Sequence, residues 1–451
     1  MTYRKLLAVL TLTAVPLLVR AGEPTAVERG EKAMLGRHFS PPTFSTAGYQ
    51  NVWKQWADAP KAKPEPYDDA VRAYYGLHTA PYPNKGYPMG LREVAGFLGR
   101  KALATDCLLC HAGSIMGQSI VGLPNTTLDM QALFTDLAVT DGTAKGTPFV
   151  FTNVRGTTEA GSMSVYLLEM RQPDLKLKIP PGKLGLREHL VEDAPAWWLL
   201  HKKKTMYHTG GADTRSVRSL MQFMMSPLNG PGTFRQDEAA FTDIREYLLS
   251  LRPPKYPLPI DTELAATGEK LFVKNCARCH GTYGEKWTYP NKIVPLAEIG
   301  TDPTRYHGIS EEFGRYYNES WFTQEQSGWF VDDFKALPST GYQAPPLDGI
   351  WATAPYLHNG SAPTVADVLN SKNRPKVFTR SYRTDPDAYD AAKLGWKVQV
   401  LEKGADAKQP ATERRKIYDT TQPGRGNGGH TYGDHLSDAE RKAVIEYLKT
   451  L

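Results

Sequence analysis

The chain has 451 residues, enough for two or three domains with cores of their own. Its 54 lysines and arginines against 48 aspartates and glutamates leave a net charge of +6 with no long block of one sign, which argues against nucleic acid as a partner. Glycine (39) and proline (34) are somewhat high while alternating Val, Ile and Thr runs are few, so the composition predicts a mainly α protein with long ordered loops and little β.

Residues 1–21 read as a signal peptide: Arg4 and Lys5 at the start, an apolar run over 6–19, and a small-residue cleavage site at Val19-Arg20-Ala21. An uncleaved anchor is the competing reading. The run is short for a bilayer span, and no other segment approaches the required length of about 20 apolar residues. The expected location is periplasmic, with no stable membrane span after cleavage.

Helical character over residues 26–35 is followed by a loop rich in Pro, Tyr and Trp, and Asp68-Asp69 marks the start of another helix. Residues 75–83 read as loop. Then comes Cys107-Leu108-Leu109-Cys110-His111. Two cysteines three apart with a histidine directly after is the attachment signature of c-type haem: the thiols add to the vinyl groups and the imidazole takes the proximal position on iron. A zinc knuckle would need a second pair converging on the same metal, and a redox dithiol has no need of the histidine.

Residues 114–127 are expected to wrap the haem edge, and a helix over 129–137 carries Ala132, Leu133 and Leu137 on one face. The stretch 142–211 has few signals apart from Trp197-Trp198, read as packing with electron relay as the alternative, and Lys202-Lys203-Lys204. Those lysines read as a solvated face or a docking patch for an acidic redox partner. A helix over 215–226 brings Met221, Met224 and Met225 together, and one over 241–251 closes the first unit. The proline-rich stretch 253–260 serves as linker. This divides the chain into an N-terminal haem domain, 22–252, and a C-terminal one, 261–451.

The second unit opens with Asp261 as N-cap and a helix over 262–272 running into Cys276-Ala277-Arg278-Cys279-His280, the second copy of the motif. The two copies use all four cysteines, leaving none for a disulfide and implying two covalently bound haem c. The aromatic stretch 315–334, with Trp321 and Trp329, is expected to cover haem or the interdomain seam. In the last helix Ser437 caps, Glu440 completes a capping box, and Val444, Tyr447 and Leu448 face inward.

Ala354-Pro355-Tyr356-Leu357-His358-Asn359-Gly360-Ser361 resembles the segment shared by bacterial dihaem cytochrome c peroxidases, the methylamine-utilisation dihaem enzymes and the rubber-cleaving dihaem oxygenases. With Gly426-Asn427-Gly428-Gly429-His430 it is most similar to the rubber-oxygenase branch, and the resemblance covers roughly residues 70–451. It implies two cytochrome c-like haem domains, the N-terminal haem meeting peroxide or dioxygen and the C-terminal haem passing electrons. In that branch a second histidine holds the C-terminal haem, and the matching position is His430. The peroxidase branch uses a methionine after the Pro-Tyr-x-His segment; none follows His358 here.

His111 and His280 are thus the expected proximal ligands, and His430 the sixth ligand of the second iron, with His435 and His307 as alternatives. His358 is expected to hydrogen-bond within a haem pocket. For the first iron, Met221, Met224 and Met225 either reach the distal side or pack the core, while Met116 lies too close to His111. If the distal face is open, Gln118 and Asn125 are candidates to hydrogen-bond a bound oxygen species, and Glu159 and Glu169 to act as acid–base groups. The two leading functions are a haem-dependent oxidoreductase and a pure electron carrier with both irons six-coordinate; a haem-based sensor is a third. The partners expected are a periplasmic electron donor or acceptor protein and a small-molecule oxidant.

Overall fold

A computed structural model describes residues 23–143, 149–327 and 330–451; the expected signal segment, 1–21, and Trp329 lie outside them. Two helix pairs organise the chain. Helix Ala26–Gly36 starts at a Thr25–Glu28 capping box and buries Gly30, Ala33 and Met34, an i, i+3, i+4 face, against helix Pro231–Ser250. Helix Thr262–Asn275, capped by Asp261, buries Ala265, Gly268 and Phe272 against the last helix, Asp438–Leu448. Both crossings are close enough that only glycine fits. A Cβ on Gly30 would stand 2.0 Å from the Asp243 carbonyl oxygen, and one on Gly268 1.9 Å from that of Ala443. The tripeptide Gly-Glu-Lys recurs at both places, 30–32 and 268–270.

The capping box of the last helix forms as expected, with Val444, Tyr447 and Leu448 buried. The expected helix over 215–226 breaks after Met221 into a 3-10 turn, Gln222–Met224, where Pro227 disfavours continuation. The helix expected over 241–251 is the second half of the longer one from Pro231. Helix Ala160–Glu169 had no sequence signal, since Gly161, Ser162 and Ser164 lie on its buried side.

The expectation of little β is corrected: helices make up 38% and strands 13%, spread over several small sheets, an α/β mixture. A three-stranded sheet (Phe44–Ser45, Lys101–Thr105, Leu91–Ala95) leads into the first cysteine pair, and the hairpin Ala112–Ile115/Gln118–Val121 leaves it. In the second half Val377–Thr379 lies between Gln399–Val400 and Ile417–Asp419. These strands run two to five residues, too short to show a period-two alternation in the sequence.

The cores cross the midpoint of the chain. Phe313, Tyr317 and Phe322 join Met221, Met224, Phe234 and Phe241 in one cluster, and Ile115, Leu123, Ala196 and Trp198 join Phe272, Trp351 and Val444 in another. No helix among the described residues is long and apolar enough to cross a membrane.

Candidate haem sites

The first cysteine pair sits on a single turn, Leu108–His111, entered from strand Lys101–Thr105. Asp106 fixes the entry: its carboxylate accepts from the Leu108 amide at 2.9 Å and pairs with Arg92 at 2.8 Å, both side chains buried. His111 lies against the Pro195 carbonyl oxygen, Nδ1 to O 3.1 Å, which orients the ring and leaves Nε2 for a metal. Trp197 stacks on the imidazole, centroid to centroid 4.9 Å. Burial pushes His111 down to about 4, so the imidazole is neutral and a competent ligand.

Cys107, Cys110 and His111 open into a cavity of about 1190 Å³, lined mainly by apolar side chains that include Phe241 and Phe313. The volume and the apolar wall suit a macrocycle. Burial pushes both thiols up to about 12. Among the described residues no three His, Cys, Asp or Glu side chains converge as a zinc site would need.

The second pair is built on the same plan. Cys276 ends helix Thr262–Asn275 and begins the turn Ala277–His280, and the His280 Nδ1 meets the Pro345 carbonyl oxygen at 2.7 Å. Here a partner stands opposite. The His430 ring centre lies 6.2 Å from that of His280, the planes inclined by 57°. A metal–imidazole bond is about 2.0 Å and the ring centre lies about 1.1 Å further on, so two imidazoles on opposite sides of one iron need a separation of roughly 6.2 Å. The pair fits one iron between them.

His430 is held there by its loop. Its backbone has φ +45°, its amide donates to the Ile299 carbonyl at 2.7 Å, and Gly429 passes so close to Gly300 that a Cβ would lie 2.2 Å from the Gly300 carbonyl carbon. The glycines therefore serve the approach of two loops. Arg374 pins the same loop through the carbonyl oxygens of Asn427 (2.6 Å), Gly429 (2.7 Å) and His430 (3.2 Å). Of the alternatives, His435 is exposed beside Asn275, and His307 is exposed at the wall of the first cavity.

The remaining candidates are distributed as follows. His358 is buried, stacks on Tyr342 at 4.0 Å and lies 6.3 Å from His208, which lines the first cavity; its Nε2 has no partner. Met221 and Met225 pack in the core, while Met224 also reaches the cavity wall. Gln118 is exposed. Asn125 is a fastener, its amide donating to the carbonyls of Gly76 and Leu109 and its oxygen meeting His78. Glu159 accepts from Asn153 and from the Leu190 amide, and Glu169 from the Leu184 amide, and neither lines the cavity.

The lysine run is not a solvated face. Lys202 is buried in an ion pair with Asp348 at 2.7 Å and lies over the rings of Tyr283 and Trp287, Lys203 lines the first cavity, and only Lys204 is exposed. A 3-10 turn, Trp197–Lys202, makes this inward placement, and the sequence period there is too short to reveal it. The same turn aims Trp198 into the seam, where its indole N–H donates to the Asp348 carbonyl at 2.8 Å. Sequence reasoning also missed the buried ion pair Glu192–Arg305 (2.9 Å) at the cavity wall, whose members are 113 positions apart.

Comparison with known proteins bears on the same region. Residues 341–379 match a family described as RoxA-like, cytochrome c-like. That segment holds Pro345, His358 and Arg374, and its match supports covalently bound haem c with iron and a haem c oxidoreductase or electron-transfer role. Two relatives come from Sinorhizobium fredii (strain NBRC 101917 / NGR234). The uncharacterized protein y4iJ is 30% identical over 262 residues, 45% of this chain and 41% of the relative. The uncharacterized protein y4iM is 32% identical over 241 residues, 46% of this chain and 53% of the relative. The aligned part thus spans about half of each relative's length.

Proposed function

We propose that the chain is a periplasmic dihaem cytochrome c of the rubber-oxygenase-like branch, an oxidoreductase with unlike haems. The haem on Cys276, Cys279 and His280 is six-coordinate through His430 and transfers electrons. The haem on Cys107, Cys110 and His111 reacts with peroxide or dioxygen. A haem iron with an open sixth position supplies the oxidant chemistry; the chain's own residues hold the cysteine and histidine anchors, exclude water from the cavity and conduct charge.

The observation that carries this reading is the asymmetry between the sites: His280 faces another imidazole at 6.2 Å, whereas His111 faces a cavity of about 1190 Å³. A route between the two supports electron exchange. It runs from His111 Nδ1 to the Pro195 carbonyl, along the backbone to Trp198, from the indole N–H to the Asp348 carbonyl, and back along the chain to Pro345 and His280 Nδ1. Carbon monoxide titration of the fully reduced protein tests the assignment: one of two haems binds it. Two inert haems would favour the second reading, a pure electron carrier, in which Met224 at the cavity wall ligates the first iron.

A further inference from the structure

The wall of the first cavity carries five basic side chains besides histidine: Arg37, Arg187, Lys203, Arg305 and Arg315. Arg37 pairs with Asp237 at 2.6 Å, Arg305 with Glu192, and Arg187 donates to the His307 carbonyl; Arg315 is exposed. Lys203 differs from all of them. Its side chain is half-buried at the cavity wall, and its ammonium has no hydrogen-bond or ion-pair partner among the described residues. Burial pushes it down to about 8. Of the carboxylates in the lining, Asp106 pairs with Arg92 and Glu192 with Arg305, Glu311 is exposed, and Asp193, whose carboxyl burial holds well above the usual carboxylate range, forms no ion pair with Lys203.

Once a ligand fills the cavity and displaces water from that wall, an ammonium without a counter-charge is costly unless the ligand supplies one. A haem c attached at Cys107 and Cys110 brings two propionate carboxylates into this same cavity. We infer that Lys203 is the ion-pair partner of a propionate of the haem held by His111, a cofactor-binding residue outside the attachment motif. The inference rests on haem attachment at that motif. A cation paired with the propionate stabilises the reduced iron and excludes water from one edge of the ring.

The test uses the holoprotein with Lys203→Gln and Lys203→Arg. Peptide mass analysis first establishes haem on Cys107 and Cys110; its absence in the unaltered protein would remove the underlying reading. With haem present, Lys203→Gln should lower the midpoint potential of that haem, by about 59 mV for a tenfold change in the oxidation equilibrium. The spin state should stay the same, and the infrared band of ¹³C-labelled propionate should shift. Lys203→Arg should leave potential and band near those of the unaltered protein, which keeps the test decisive if Lys203→Gln fails to fold. An unchanged potential or an unshifted band in Lys203→Gln would overturn the inference. So would a change of spin state, which would make Lys203 an iron ligand, or an arginine variant whose potential falls as far as that of the glutamine variant.

Discussion

Replacement of His430 probes the proposed second iron site. His430→Ala removes one of two imidazoles whose ring centres stand 6.2 Å apart and leaves the space of that ring opposite His280, room for a water or for added imidazole. One low-spin haem should become high-spin and the other keep its spectrum, and added imidazole should restore the low-spin state. His430→Gly makes the argument quantitative, because His430 holds a left-handed backbone (φ +45°) that costs a non-glycine residue on the order of 1 kcal/mol. The glycine variant should lose the ligand like the alanine variant, yet be more stable than it by about that amount in chemical denaturation. Electronic and electron paramagnetic resonance spectra follow the ligand, and urea titration follows the backbone. Unchanged spectra in both variants would refute His430 as ligand. Loss of the ligand with no stability difference would refute the strain argument alone.

Trp198→Phe deletes the indole donor to Asp348, so electron exchange between the haems should slow after photoreduction, and an unchanged rate would remove that route. Glu159 gives a pH signature. Burial raises its carboxyl to about 7 against an ordinary 4.5, so its contribution is fully present below pH 4.5 and is lost as pH rises through 7, by about 3 kcal/mol. Glu159→Gln should flatten that part of the stability profile; an equal slope in both proteins would place the titration elsewhere. Gly268→Ala forces a Cβ to within 1.9 Å of the Ala443 carbonyl, and should cost about 1–3 kcal/mol and several degrees in thermal unfolding. An unshifted melting temperature would show that the crossing yields.

What could be read from the sequence was local. The two cysteine-histidine motifs, the capping box at Ser437 and Glu440, and the helix from Asp261 each depend on residues within a few positions of one another; the capping box and the helix form as expected, and each motif lies on a single turn. The placement of His430 came from a family resemblance, and the geometry brings it to His280 through the pin at Arg374, 56 residues away. The wall of the first cavity was not legible. It is assembled from segments as distant as Met34, Lys203, Met224, Arg305 and Ser339, and no window of sequence contains the wall. Strands of two to five residues escaped for a related reason, since their pairing partners, and not their own alternation, make them strands.

The two motifs also share a device that the pentapeptides do not contain. Each motif histidine gives its Nδ1 to the carbonyl oxygen of a proline, Pro195 or Pro345, and each proline is followed within a few residues by a 3-10 turn that begins at or near a tryptophan, Trp197–Lys202 or Ile350–Ala352. Proline fixes its own φ, so the carbonyl is presented by a stiff stretch of chain, and the imidazole orientation is set with little freedom. The next residues then turn inward together. Trp198 meets the Asp348 carbonyl three residues after Pro345, so the segment that orients one histidine is hydrogen-bonded to the segment that orients the other. One indole hydrogen bond thus joins the segments on which the two motif histidines rest. The ligand state of the first haem and the potential of the second should be coupled, and the coupling should weaken in Trp198→Phe even where both haems remain in place.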